Sequence, residues 1–243
     1  MAGYGWSYHV ASSYAGGLPA VRAPAEPATD PVPLPTPRPL PMALGTALEQ
    51  RASCRHFSDE ALELADLSTL LGTAYGIRGE IVVEGASFRP RSVPSAGATY
   101  PLELHLLVRS VSGLPEGSYA YLAESDALAR TGAGVPFPAL DELFLGQPYL
   151  IPAAAVIVIA GALGRTTARY GDRGYRYVLF EAGHVMQNLL LAAAALELGS
   201  LPLGGFLDYE LSANLHLDPA VVPLYATAVG PTTASEGGDL RSP

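Results

Sequence analysis

The sequence predicts a domain of the α+β or α/β class, and three observations carry that expectation. Residues 175–198 read YRYVLFEAGHVMQNLLLAAAALEL, free of proline and rich in Leu and Ala, which predicts one long helix. Apolar or alternating runs at 102–110, 153–160 and 223–229 read as strands, with helical patterns between them. The 243 residues are 49% hydrophobic and 15% charged, enough for a sizeable core in one large domain or two small ones.

Taken in order, residues 1–17 are rich in Gly, Ser and Tyr and hold the single Trp. Nine prolines follow between Pro19 and Pro41, so this stretch is expected to be extended or polyproline II, because proline fixes φ and lacks an N–H. Residues 1–41 thus read as an arm, residues 42–230 as the folded domain and residues 231–243 as a polar, flexible tail. The arm is a surface segment or linker, or else a recognition tail for a proline-binding module.

Within the domain, residues 43–51 predict a short helix. The run Arg51-Ala52-Ser53-Cys54-Arg55-His56-Phe57 follows. Its two Arg and one Ser at alternate positions suit an anion, since guanidinium groups offer forked donors. Ser58-Asp59-Glu60 marks a helix entry, with helical spacing onward to Tyr75. A short strand is expected around residues 81–83. Pro94-Ser95-Ala96-Gly97-Ala98-Thr99-Tyr100-Pro101 is a small-residue loop that lets backbone approach a ligand closely. It leads directly into the strand at 102–110. Residues 118–122 predict a further strand and residues 137–145 a helix. The continuous apolar run at 153–160 is a strand buried on both faces.

Arg165 to Gly171 is a helical or looped approach to the long helix. That helix divides in two. Residues 189–196 are apolar all round and demand burial. In the first half Tyr177, Glu181, His184 and Asn188 share one polar face, for which a hydrogen-bonded seam against another helix is the simplest reading. Gly199 is the expected helix stop, Gly204-Gly205 a turn, residues 211–215 a short helix and residues 223–229 a final strand.

Charge excludes some functions. The net charge is −9, with 23 acidic against 14 basic residues, all of them Arg, which argues against a nucleic-acid surface. The five His are scattered and the one Cys has no partner, so no metal motif and no intramolecular disulfide is expected. The lone Cys and the lack of a visible signal peptide point to a cytoplasmic setting. Cys54, His105 and His184 read as packing or hydrogen-bonded structural residues.

Five segments, RASCRHF at 51–57, PSAGATYPLE at 94–103, RYGDRGYRYVLFEAGHVMQN at 169–188, LGGF at 203–206 and PLYATAVG at 223–230, together resemble the nitroreductase superfamily, and within it the SagB-type dehydrogenases that include thiazoline and oxazoline oxidases. The resemblance implies an α+β fold with a mostly antiparallel sheet wrapped by helices, an intimate homodimer, and FMN at the subunit interface. It implies that Arg51, Ser53 and Arg55 hold the FMN phosphate, ribityl chain or ring edge. Pro94, Ser95, Ala96 and Gly97 would cover the ring, Asn188 would contact the cofactor, and Gly204 and Gly205 would bring backbone N–H groups to it. The apolar half of the long helix would form the dimer core.

Two departures stand out. Azoline oxidases carry a Lys-Tyr pair ahead of the long helix that helps remove the substrate proton; here the matching residues are Arg169-Tyr170. A guanidinium keeps its proton, so Arg169 is suited to stabilising negative charge and Tyr170 becomes the candidate base. After the last strand the chain reads Pro231-Thr232-Thr233, with Arg241 the sole later basic residue, so phosphate binding rests on Arg51 and Arg55.

The leading expectation is an FMN-dependent dehydrogenase or oxidase of a peptide or carrier-bound intermediate in natural-product biosynthesis, converting azolines to azoles with oxygen as acceptor. The alternatives are an NAD(P)H-dependent nitro or quinone reductase, a tailoring dehydrogenase on another substrate, or a non-catalytic subunit of a biosynthetic enzyme complex.

Overall fold

The computed structural model describes residues 5, 7–9, 30–83 and 86–233. The expectations for the remainder of the arm, and for residues 234–243 of the tail, lie outside the described residues. The elements are β1 (Val32–Pro33), α1 (Leu44–Gln50), α2 (Leu64–Tyr75), β2 (Ile81–Val83), β3 (Ala86–Phe88), β4 (Leu102–Val108), β5 (Gly117–Leu122), β6 (Ala127–Gly132), α3 (Leu140–Leu143), β7 (Ala155–Ala162), α4 (Leu163–Tyr170), α5 (Arg173–Ala195), β8 (Gly199–Leu203), α6 (Asp208–Leu215) and β9 (Val221–Gly230).

Seven strands among the described residues form one sheet in the order β1-β6-β5-β4-β7-β9-β8, antiparallel throughout; β2 and β3 make a separate hairpin. β7 is an interior strand, beside the central β4, and is buried along its whole length, as its unbroken apolar sequence requires. Alternate residues of β4 and β7 feed two cores. Leu104, Leu106, Ile157 and Ile159 pack with α2 and α5 on one face, and Leu107, Val156 and Val158 pack with α3 and α6 on the other. The result is a sheet covered by helices on both sides.

Both sheet edges contain proline, in β1 (Pro33) and β8 (Pro202). A proline removes one ladder donor, which an edge strand tolerates. Pro202 masks the strand pattern of β8, for which the sequence yields no element. β6 was also missed, because Ala127–Gly132 carries little β-branched or aromatic signal. Among the described residues of the proline-rich segment, 30–41, the one regular element is the two-residue strand β1. These residues lie on the body: Leu34 and Leu40 pack on the core, Ser68 bonds the Pro35 carbonyl, and Arg38 pairs with Asp66.

The long helix is present, starting two residues earlier and ending three earlier than predicted. Its stop is Glu197 at φ +59°, not Gly199. Leu198 N–H bonds the Ala193 carbonyl at 2.9 Å and Glu197 N–H bonds the Ala194 carbonyl at 3.1 Å, the paired bonds of a Schellman cap. Gly199 instead begins β8 and lies against Cys54, where a Cβ would meet the sulfur at 2.8 Å.

One expectation about α5 is corrected. Its apolar C-terminal half packs into the chain's own core, with Leu189, Ala192 and Ala193 fully buried. The open face lies further toward the N-terminus, at Leu179, Phe180, Gly183, His184 and Gln187; Phe180 is 60% exposed. α5 is long and apolar enough to cross a membrane, yet 56% of its most apolar window is buried within this fold.

Candidate functional site

The predicted site residues fall into two groups held by different elements. The first lies along the sheet edge. Arg51 caps α1, donating its N–H to the Ala47 carbonyl at 3.0 Å. The chain then passes β8: Ser53 pairs with Ser200, and Cys54 N–H bonds the Ser200 carbonyl at 2.9 Å. This alignment leaves Ser53 and Arg55 exposed and turns Cys54 toward the core, as its reading as a packing residue anticipated. Arg55 sits 5.9 Å from the Tyr149 ring centroid. Among the described residues neither Arg51 nor Arg55 is ion-paired with a carboxylate, although acidic residues outnumber basic ones. Two guanidinium groups so placed can bind an anion.

Gly204 and Gly205 follow the end of the same edge strand, β8. A Cβ on Gly204 would meet nothing within 4 Å, so this fold does not itself require glycine there. The bare backbone faces open space, which suits close approach by a flat ligand.

The second group gathers around the 94–97 loop. Ala96–Ala98 forms one 3₁₀ turn, with Gly97 at φ +60°, Ala98 at φ +53° and Tyr100 at φ +41°. Left-handed backbone at the two non-glycine positions costs on the order of 1–3 kcal/mol each and persists only where the surroundings hold it. α4 holds it from one side. Arg169 Nη1 donates to the Gly97 carbonyl at 3.2 Å, and the Thr99 and Thr166 hydroxyls are 2.8 Å apart. A Cβ on Gly97 would lie 2.6 Å from the Tyr170 hydroxyl and 2.9 Å from Arg169 Nη1. The Tyr170 ring meets Tyr177 edge to face at 5.2 Å.

From the other side the loop meets α5. Glu181 is buried, accepts a hydrogen bond from the Tyr75 hydroxyl at 2.7 Å, and interacts with the nearby Ser95 hydroxyl. Burial holds its carboxyl above the ordinary value of 4.5, against the lowering effect of Ser95, Tyr75, Arg91 and His184. Burial likewise pushes the Tyr75 phenol up, reinforced by the adjacent Glu181. Arg91 covers the Tyr75 ring at 4.4 Å. The polar face of α5 is therefore a helix–helix seam at Glu181. Asn188 belongs to the same seam, its Nδ2 donating to the Thr73 carbonyl of α2 at 3.5 Å; His184 faces outward.

Sequence reasoning brought Ser95, Gly97, Arg169 and Tyr170 forward, and the structure places them together. It missed Tyr75, Arg91, Thr99 and Thr166. Glu181 was visible as part of the polar stripe, but only the fold shows that Ser95 and Tyr75 meet it. The arginine edge and the 94–97 loop are far apart within one chain. Ser95 lies beside Glu181 in the first half of α5, whereas Ser53 pairs with β8 just past its end, and about 22 Å of helix axis lie between Glu181 and Leu196.

Helices on both faces of an antiparallel sheet, the longest running across its central strands, make this a nitroreductase-like α+β protein. The family model described as the Nitroreductase family matches residues 48–231, and the chain belongs to that family of oxidoreductases. It is 39% identical over 192 residues to "Putative nitroreductase MJ1384" of Methanocaldococcus jannaschii, covering 77% of this chain and 90% of that protein. It is 30% identical over 151 residues to the microcin B17-processing protein McbC of Escherichia coli, covering 58% of this chain and 54% of McbC. Among solved structures, a Ralstonia eutropha nitroreductase-like protein superposes with a TM-score of 0.69 at 22% identity, covering 92% of this chain and 99% of that one. A chain of the E. coli microcin synthetase McbBCD complex with truncated pro-MccB17 bound gives 0.65 at 22% identity, covering 94% and 91%.

Proposed function

We propose that this protein is an FMN-dependent oxidoreductase that works as a homodimer and oxidises azolines in a peptide or carrier-bound intermediate to azoles. The observation that carries the reading is the packing of Tyr170 and Arg169 onto Gly97, which sets a proton acceptor beside the loop assigned to the flavin. The substrate class draws support from likeness to McbC and, at 29% identity over 136 residues, to the trifolitoxin-processing protein TfxB of Rhizobium leguminosarum.

The residues present fit FMN. Arg51 and Arg55 match a phosphate in charge and donor geometry. The open backbone at Gly204 admits a planar ring, with Gly205 next to it against Leu145, and the small side chains of the 94–97 loop give a second surface for it. When bound, FMN supplies the hydride-accepting chemistry. Tyr170 would take the substrate proton and Arg169 would stabilise the charge that develops there, while also holding the loop. The separation of the two residue groups within one chain supports a cofactor site completed by a second copy. Exposed Leu44 and Leu48 on α1, with Leu179 and Phe180 on α5, offer the apolar surface for that pairing.

The presence of Arg169 where azoline oxidases have Lys, and the 39% identity to a protein named as a nitroreductase, favour a second reading as an NAD(P)H-dependent nitro or quinone reductase. Single-turnover mixing separates the two. Bleaching of the flavin by an azoline peptide alone supports the first; bleaching by NAD(P)H alone supports the second. Assembly with other biosynthetic enzymes, as the McbBCD structure suggests by likeness, is part of the first reading.

A further inference from the structure

Glu181 lies on α5, outside the residues assigned to cofactor or substrate, yet its carboxylate gathers an ordered set of bonds. Tyr75 donates its hydroxyl proton to Glu181 at 2.7 Å, and that hydroxyl oxygen accepts the Leu102 backbone N–H at 3.3 Å. Ser95 lies beside Glu181 and interacts with its carboxyl, and the Ser95 hydroxyl oxygen accepts the Tyr100 backbone N–H at 2.9 Å. The carboxylate thus reaches one backbone amide through Tyr75 and stands beside the hydroxyl that holds a second, the two amides flanking Pro101. These amides end the left-handed stretch at Gly97, Ala98 and Tyr100 and lead into β4. A strained loop needs such restraint, and a buried acid whose partners are all committed supplies it. Arg91 closes the cluster by lying over both the Tyr75 and Tyr100 rings.

We propose that Glu181 is a positioning residue for the 94–97 loop: acting through Ser95 and Tyr75, it clamps the Tyr100 and Leu102 amides and so fixes the loop in the shape that receives the flavin. The proposal rests on the assignment of that loop to FMN. It concerns loop geometry and gives Glu181 no contact with substrate or cofactor.

Amide hydrogen exchange on the full-length protein tests it, with FMN titration as a second readout. Glu181→Ala is expected to speed exchange at Tyr100 and Leu102 while Leu104 and Leu106 in β4 keep their protection, and to weaken FMN binding by about tenfold or more, from loss of a hydrogen bond to a charged group. Glu181→Gln, which keeps an acceptor for Tyr75, is expected to restore most of both. The two hydroxyls should separate the two arms: Ser95→Ala releases Tyr100 alone and Tyr75→Phe releases Leu102 alone. Unchanged protection at both amides in Glu181→Ala overturns the clamp. So does uniform deprotection of β4, which marks general destabilisation, and so does release of the amides with FMN affinity unchanged. A wild-type protein that takes up no FMN removes the flavin assignment, while the exchange pattern still decides whether Glu181 holds the loop.

Discussion

Arg169 Nη1 donates a hydrogen bond to the Gly97 carbonyl at 3.2 Å, joining the end of α4 to the loop that precedes β4. This bond gives the arginine a task that its failure as a base would not suggest. It anchors a backbone carbonyl beside Tyr170, and the same approach leaves no room for a side chain on residue 97.

Gly97→Ala therefore carries two penalties. The left-handed backbone at φ +60° costs an L-residue about 1–2 kcal/mol, and the added methyl would press on the Tyr170 hydroxyl and the Arg169 guanidinium. The expected outcome is a lower melting temperature together with loss of bound flavin, measured by thermal denaturation and by cofactor content after gel filtration.

Arg51→Ala and Arg55→Ala test the other group. Each is expected to weaken FMN binding by about 10- to 100-fold, the effect of losing a hydrogen bond to a charged group of roughly 1.5–3 kcal/mol. Riboflavin, which lacks the phosphate, should lose little. Equal losses for both ligands would move the phosphate elsewhere.

How much of this was legible in the sequence depends on the physics of each part. α5 and β7 were readable because an uninterrupted pattern fixes both type and burial. Ser95, Gly97, Arg169 and Tyr170 were readable as motifs. Their contact was not, because residues 97 and 169 are brought together only by the packing of α4 against the loop. β8 was hidden by Pro202, whose tolerance depends on an edge position that only topology reveals. The apolar half of α5 was assigned to a dimer core, yet it packs within its own chain, because an all-apolar stretch announces burial without saying whether the same chain or a second one covers it.

The pH dependence of stability should report Glu181. Its folded carboxyl lies above the ordinary 4.5, chiefly through burial. A raised folded value means the contribution is fully present below the unfolded value and is lost as pH rises through the folded one. Tyr75, Ser95, Arg91 and His184 act on the group and temper the shift. Glu181→Gln stays neutral, so its stability relative to wild type should rise as pH climbs from about 4 through the carboxylate's raised range and then level off. Denaturant titrations across that range measure it; a difference independent of pH would contradict the assignment.

Phe180→Asp addresses the pairing of chains. With Phe180 60% exposed on the open face of α5, a charge there is expected to shift the protein from dimer to monomer in sedimentation velocity and to release flavin. A dimer that survives with its flavin would place the interface on another surface.

The central claim is most directly tested by anaerobic mixing of the purified, flavin-loaded protein with an azoline-containing peptide, without NAD(P)H, while following the flavin absorbance. The account predicts bleaching of the flavin with formation of azole in equal amount, and at least a tenfold slower reaction in Tyr170→Phe with flavin content unchanged, about the lower end of what a general base contributes. A protein that binds no flavin, or one bleached by NAD(P)H and untouched by the peptide, would contradict it.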